Sequence, residues 1–238
     1  MSLRIALVTG ASRGLGRAIA LRLADDVSGV AVHYLTSRDD AQGLATAIRE
    51  KGKLSAVFRA DLSKRAQASG LIKKVEEKFG RIDVLVNNVG PFLIKPWDQL
   101  EMADWEHVLR GNLLSSYFCL KAALPGMRKR QWGRIINIGY SRAEQLRSFP
   151  TIAPYAAAKT GLLIVTRTAA VSEVGSGITV NMVSPGLMKG GMLPHSRDVS
   201  ESELGSYEDV ADAVAYLASD RATAITGANV IVAGAWRM

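Results

Sequence analysis

The stretch "GRIINIGYSRAEQLRSFPTIAPYAAAKTG" (residues 133–161) carries Tyr155 and Lys159 four positions apart. On a helix, that spacing puts both side chains on one face. An ammonium beside a phenol favours the phenolate and draws the phenol pKa below about 10. Such a tyrosine can exchange a proton with a carbonyl or alcohol oxygen near neutral pH. Tyr140, Ser141 and Ser148 lie upstream and supply further hydroxyls that could polarise the same oxygen.

A second chemical signal lies near the N-terminus. In "LVTGASRGLGRAIA", Gly10, Gly14 and Gly16 sit between a Val/Leu-rich run and an amphipathic segment. Glycine in a strand-to-helix turn lets the backbone approach a pyrophosphate, whose charge the helix N-terminus favours. In "VAVHYLTSRDD" no acid stands at the end of the second strand to accept ribose hydroxyls and repel a 2′-phosphate. Arg13, Ser37 and Arg38 could instead bind that phosphate through charge-assisted hydrogen bonds. The balance favours NADPH over NADH.

The elements that must position these residues alternate regularly. Strands are expected at Ile5–Val8, Val30–Tyr34, Ser55–Phe58, Val84–Val86, Ile135–Ile138, Thr179–Val183 and Val230–Val232. Helices are expected at Ser63–Phe79, Trp105–Leu124, Tyr155–Val174 and Asp209–Ala218. Repeated strand–helix units with right-handed crossovers imply an α/β chain, with helices on both faces of one parallel sheet. Residues 1–238 read as one domain, with Leu187–Tyr207 as a long irregular excursion.

Charge and composition exclude several classes. The net charge of +8 is dispersed rather than gathered into a nucleic-acid-binding stripe, and it suits anionic small molecules or an acidic carrier protein. No apolar run is long enough to span a bilayer and no signal-peptide region precedes the first strand, so a cytoplasmic location is expected. The lone Cys119 reads as a core residue, and His33, His107 and His195 lack metal-ligand spacing.

Taken in order, "TGASRGLG" at Thr9–Gly16, Asp61 in "ADLS", "NNVG" at Asn87–Gly90, Asn112, Tyr155-x-x-x-Lys159 and "SPG" at Ser184–Gly186 resemble the short-chain dehydrogenase/reductase family across the whole chain. Among its members, the chain looks most like bacterial 3-oxoacyl-carrier-protein reductases of fatty acid biosynthesis. The resemblance implies a doubly wound Rossmann fold with a seven-stranded parallel sheet, and it implies a role for each matching residue. Gly10, Ser12, Arg13, Gly14, Leu15 and Gly16 would line the cofactor phosphates and ribose. Asp61 and Leu62 would flank the adenine, Asn88, Val89 and Gly90 would lie along the cofactor, and Pro185 and Gly186 would complete its site. Tyr155 would be the acid/base, Lys159 would also hold the nicotinamide ribose, and Asn112 would support a proton-carrying water chain. A homotetramer packed through the Trp105–Leu124 and Tyr155–Val174 helices is the family expectation.

Some positions depart from that pattern. The family serine commonly stands thirteen residues before the tyrosine, where this chain has Arg142. Ser141 is the preferred substitute, Tyr140 is next, and Ser148 lies too far along the loop. A family threonine after "PG" is replaced at Gly190, and the following segment looks short. Arg142, Arg147, Lys189, His195 and Arg197 would favour an anionic thioester if they face the cleft, and Trp97 could form an apolar wall there. Three readings follow: an NADPH-dependent reductase of a 3-oxoacyl thioester on carrier protein or CoA, or of a related ketone; a pteridine-reductase-like imine reductase; and a weakly catalytic nucleotide-binding sensor or assembly subunit.

Overall fold

The computed structural model describes residues 3–189 and 204–234. Seven parallel strands, β1 (Ile5–Val8), β2 (Gly29–Tyr34), β3 (Leu54–Arg59), β4 (Val84–Asn87), β5 (Gly133–Ile138), β6 (Ile178–Pro185) and β7 (Asn229–Val232), form one sheet in the order β3-β2-β1-β4-β5-β6-β7. This is the expected doubly wound architecture. The order reverses between β1 and β4, so the crevice beyond their C-terminal ends is where such a sheet places a ligand.

Alternation along the central strands builds two cores. Ala6 and Val8 of β1, Val84 and Val86 of β4, and Ile136 and Ile138 of β5 face one layer. That layer contains α1 (Gly14–Asp26), α2 (Arg38–Glu50) and α7 (Tyr207–Ala218). Leu7, Leu85 and Ile135 face the opposite layer, with α3 (Arg65–Phe79) and α5 (Ser115–Arg130). Side chains on successive strand residues point to opposite faces, so strands covered on both sides read as continuous apolar runs. Cys119 is buried in the second core, and burial pushes its thiol up to about 12.

Two polar features register the site-bearing ends of β4 and β5. Asn87 lies opposite Asn137, and its Nδ2 donates to Asn137 Oδ1 at 2.9 Å. Asn137 Nδ2 in turn donates to Thr166 Oγ1 at 2.9 Å, tying the sheet to α6 (Ala153–Ser172). These bonds hold the strand ends in one arrangement, because a buried amide donor left unpaired is costly.

The single helix expected at Trp105–Leu124 is corrected. α4 (Met102–Leu109) passes through a π-helical turn, Arg110–Leu114, into α5. Gly111 has no room for a side chain because the Pro91 ring packs against it. Asn112 Nδ2 donates to both Pro91 O (2.8 Å) and Val108 O (3.1 Å). These contacts surround the wider turn at the very residue the sequence singled out, and π-turns recur at functional sites.

Candidate active site

The glycine turn after β1 is braced from β4 and β2. Thr9 Oγ1 donates to Val86 O (3.2 Å) and accepts from the Asn88 (2.9 Å) and Val89 (3.2 Å) N–H groups. Asn88 Nδ2 donates to Thr9 O (3.0 Å) and Gly10 O (3.1 Å). Gly10 adopts φ +62°, and a Cβ at Gly16 would fall on the Gly10 carbonyl oxygen. The turn therefore needs glycine for both conformation and space.

His33 supplies a brace that the sequence did not disclose. Its Nδ1 accepts from Gly10 N–H at 3.0 Å, which fixes Nε2 as the donor to Ala60 O at 3.0 Å. Burial lowers its pKa to about 4, so the ring is neutral as this pattern requires. Alternation in "VAVHY" could mark His33 as buried, but only the fold brings it to Gly10.

Beyond these braces lies a cleft of about 580 Å³. Of the residues expected to hold a cofactor, Gly10, Ser12, Arg13, Ser37, Asp61, Leu62, Asn88, Val89 and Gly90 line it. His107, Pro91 and Gly111 line it too, and no sequence signal pointed to them. Arg13 is exposed at the N-cap of α1, where Gly14, Leu15 and Gly16 form the first turn. Arg38 is exposed as the first residue of α2, outside the cleft lining, and Asp39 and Asp40 follow it. Asp61 Oδ1 accepts from the Ser63 hydroxyl (2.6 Å) and N–H (3.1 Å), and the hydroxyl bond chiefly holds its carboxyl below the usual range. The glycine cradle and the helix start fit the pyrophosphate of a dinucleotide.

Tyr155 and Lys159 sit on the first turns of α6, beside the end of β5. Lys159 is buried, donates to Ile138 O at 2.7 Å, and has its pKa lowered to about 8 by that burial. Its Nζ lies 5.6 Å from the Tyr155 ring centroid. The tyrosine pKa, however, is raised rather than lowered, by burial first and by Tyr140 second. This corrects the expectation from spacing: desolvation of the phenolate outweighs the ammonium's attraction when the ammonium points to a carbonyl. Tyr155 stands between Phe92 (ring centroids 4.7 Å apart) and Tyr140 (5.5 Å), both edge-on. Phe92 was not foreseen.

The remaining candidates are placed as follows. Asn112 is fully buried, and its Oδ1 lies against Gly90 with no hydrogen-bond partner among the described residues. Ser141 is buried, and its N–H donates to Pro185 O at 3.0 Å. Gly186 N–H donates to Val232 O at 2.9 Å, fixing the Pro185–Gly186 turn to β7. Arg147 lies over Phe149 at 5.9 Å. Trp97 is 65% exposed on a short 3₁₀ turn and does not line the cleft. A bridge between Met188 and Gly205 closes the base of the excursion after β6. Gly190, His195 and Arg197 lie outside the described residues. Among the described residues, no acidic, histidine or cysteine cluster could hold a metal, and no helix is long and apolar enough to cross a membrane.

A family model described as enoyl-(acyl carrier protein) reductase matches residues 10–235. The 3-oxoacyl-acyl-carrier-protein reductase FabG of Staphylococcus epidermidis is 36% identical, covering 98% of each chain. Its Pseudomonas aeruginosa counterpart is 37% identical, covering 99% of this chain and 98% of the relative. A dehydrogenase/reductase from Sinorhizobium meliloti superposes with a TM-score of 0.90 at 30% identity, covering 100% of this chain and 96% of the other.

Proposed function

The chain belongs to the short-chain dehydrogenase/reductase family and is an oxidoreductase, and from that premise we propose that it is an NADPH-dependent reductase of 3-oxoacyl thioesters or related ketones. The observation that carries the reading is Tyr155, which is held beside Lys159 and against the end of β5 at the C-terminal edge of the sheet. The near-full-length likeness to two 3-oxoacyl-acyl-carrier-protein reductases supports the substrate class.

The phosphates would be held by Gly10, Ser12, Arg13, Gly14, Leu15 and Gly16, with Arg13 and Ser37 facing the 2′-phosphate. Asp61 and Leu62 would flank the adenine, while Asn88, Val89, Gly90, Pro185 and Gly186 would take the rest of the cofactor. When bound, the reduced nicotinamide supplies a hydride to the carbonyl carbon. Tyr155 gives its proton to the carbonyl oxygen, and Lys159 holds the nicotinamide ribose and replenishes the proton. Asn112 Oδ1, unpartnered beside Gly90, anchors water on the path to solvent. A hydroxyl from the segment after β5 completes the set.

The same reading makes residues 1–238 one cytoplasmic NADP-binding domain. The exposed apolar residues Tyr117 on α5 and Ile164 and Val171 on α6 suit a homotetramer. The net charge of +8 suits an acidic acyl carrier protein. The test is the absorbance of reduced nicotinamide in the presence of a short 3-oxoacyl thioester. Consumption of NADPH but not NADH is the expected result. Saturable NADPH binding without turnover would contradict the reading.

A further inference from the structure

We propose that the Tyr140 phenol, rather than the Ser141 hydroxyl, is the second donor to the substrate's carbonyl oxygen. This assignment rests on the ketone-reductase reading and names the group that polarises the ketone in that site.

The backbone after β5 separates the two side chains. Gly139 N–H donates to Val183 O at 2.8 Å and Ser141 N–H to Pro185 O at 3.0 Å, so the chain stays against β6 through Ser141. It then turns inward, with Ala143 N–H donating to Tyr140 O at 2.8 Å. Ala143 packs in a small core with Leu162, Leu163 and Met182. Ser141 enters the protein with this turn. It is only 2% exposed, and its Oγ is enclosed without a hydrogen-bond partner among the described residues. A substrate oxygen could reach it only if the turn opened.

Tyr140 lies against Tyr155 instead. It is half-buried, its ring meets that of Tyr155 edge-on at 5.5 Å, and Phe149 supports it from behind at 6.3 Å. A phenol reaches several ångströms further from the backbone than a serine hydroxyl. Tyr140 also precedes Tyr155 by 15 positions, in a loop longer than the family spacing.

Burial leaves both phenols protonated at neutral pH, and it is the Lys159 ammonium beside Tyr155 that assigns the proton transfer to that residue. Burial raises the Tyr140 pKa, against the opposing pull of the Arg142 and Arg147 charges, so Tyr140 keeps its proton at neutral pH. A protonated phenol beside a developing alkoxide donates a hydrogen bond that strengthens as charge accumulates. Tyr155 transfers its proton to that oxygen and becomes the tyrosinate. Tyr140 donates throughout and ends the step with its proton still in place.

The test pairs Tyr140→Phe with Ser141→Ala, each measured for NADPH affinity and for kcat on a short 3-oxoacyl thioester. Tyr140→Phe should lower kcat about 100-fold, the usual loss for one donor to a developing oxyanion. Its NADPH affinity should be unchanged, and Ser141→Ala should turn over at nearly the wild-type rate. The reverse pattern, or parallel loss of turnover and NADPH binding in Tyr140→Phe, would overturn the proposal. A second arm does not depend on turnover. The protein is labelled with carbon-13 at the tyrosine ζ position, loaded with NADP⁺ and given the same ketone, while the Phe variants assign the signals. Movement of both the Tyr140 and Tyr155 signals supports the proposal. Movement of Tyr155 alone refutes it and leaves the reductase reading standing. Movement of neither removes the reading and the proposal together.

Discussion

Replacing Lys159 with methionine isolates the cost of holding an ammonium in the wall of the site. Burial brings the Lys159 pKa from 10.5 to about 8, while its Nζ donates to Ile138 O at 2.7 Å. A fall of that size corresponds to about 3 kcal/mol of preference for the neutral amine, at about 1.4 kcal/mol per pH unit. The sign follows from proton counting. Between about pH 8 and pH 10.5 the unfolded chain binds the proton that the folded chain has released, so wild-type stability rises with pH across that window. Lys159→Met has no such proton. The hydrogen bond to Ile138 is lost at every pH, and it offsets the two stability curves without changing how their separation varies. The assay is urea unfolding of both proteins without cofactor, from neutral pH to pH 10.5. Relative to the variant, the wild type should gain about 3 kcal/mol over that range. A separation that stays constant with pH would refute the reasoning, because Lys159 would then titrate in the fold as it does in the unfolded chain.

Thr9→Val keeps the shape of its side chain but removes the acceptor shared by the Asn88 and Val89 N–H groups. Urea unfolding should show a loss of about 2 kcal/mol from the stranded donors, and a cofactor titration should show weaker NADPH binding. Arg13→Glu places an acid at the exposed start of α1. Fluorescence titration should show NADPH affinity falling about tenfold or more, with NADH affinity much less affected, as loss of a charge-assisted bond worth about 1.5 kcal/mol or more requires.

The seven strands and both ends of β1 were legible because buried parallel strands leave unbroken apolar runs and glycines mark the turns between them. The glycine turn, Asn88–Gly90 and the Tyr155–Lys159 pair were legible for a related reason, since each belongs to a short motif whose spacing carries its geometry. The π turn at Arg110–Leu114 was not. It accompanies a close approach of Pro91 to Gly111, two residues from different elements that meet only in the fold. The bracing role of His33 and the contact of Phe92 were hidden for the same reason, because their partners, Gly10 and Tyr155, are remote in sequence. The direction of the Tyr155 pKa was misjudged because helical spacing says which face a lysine shares. It does not say whether the ammonium points at the phenol or at Ile138 O, nor how dry the site is.

The central claim is that Tyr155 protonates the ketone oxygen, and rapid mixing of the NADPH complex with a 3-oxoacyl thioester tests it most directly. In Tyr155→Phe, NADPH should bind as in the wild type, while oxidation of the bound NADPH slows by a factor on the order of 10² to 10⁴, the range for loss of a general acid. Undiminished oxidation in that variant would contradict the account.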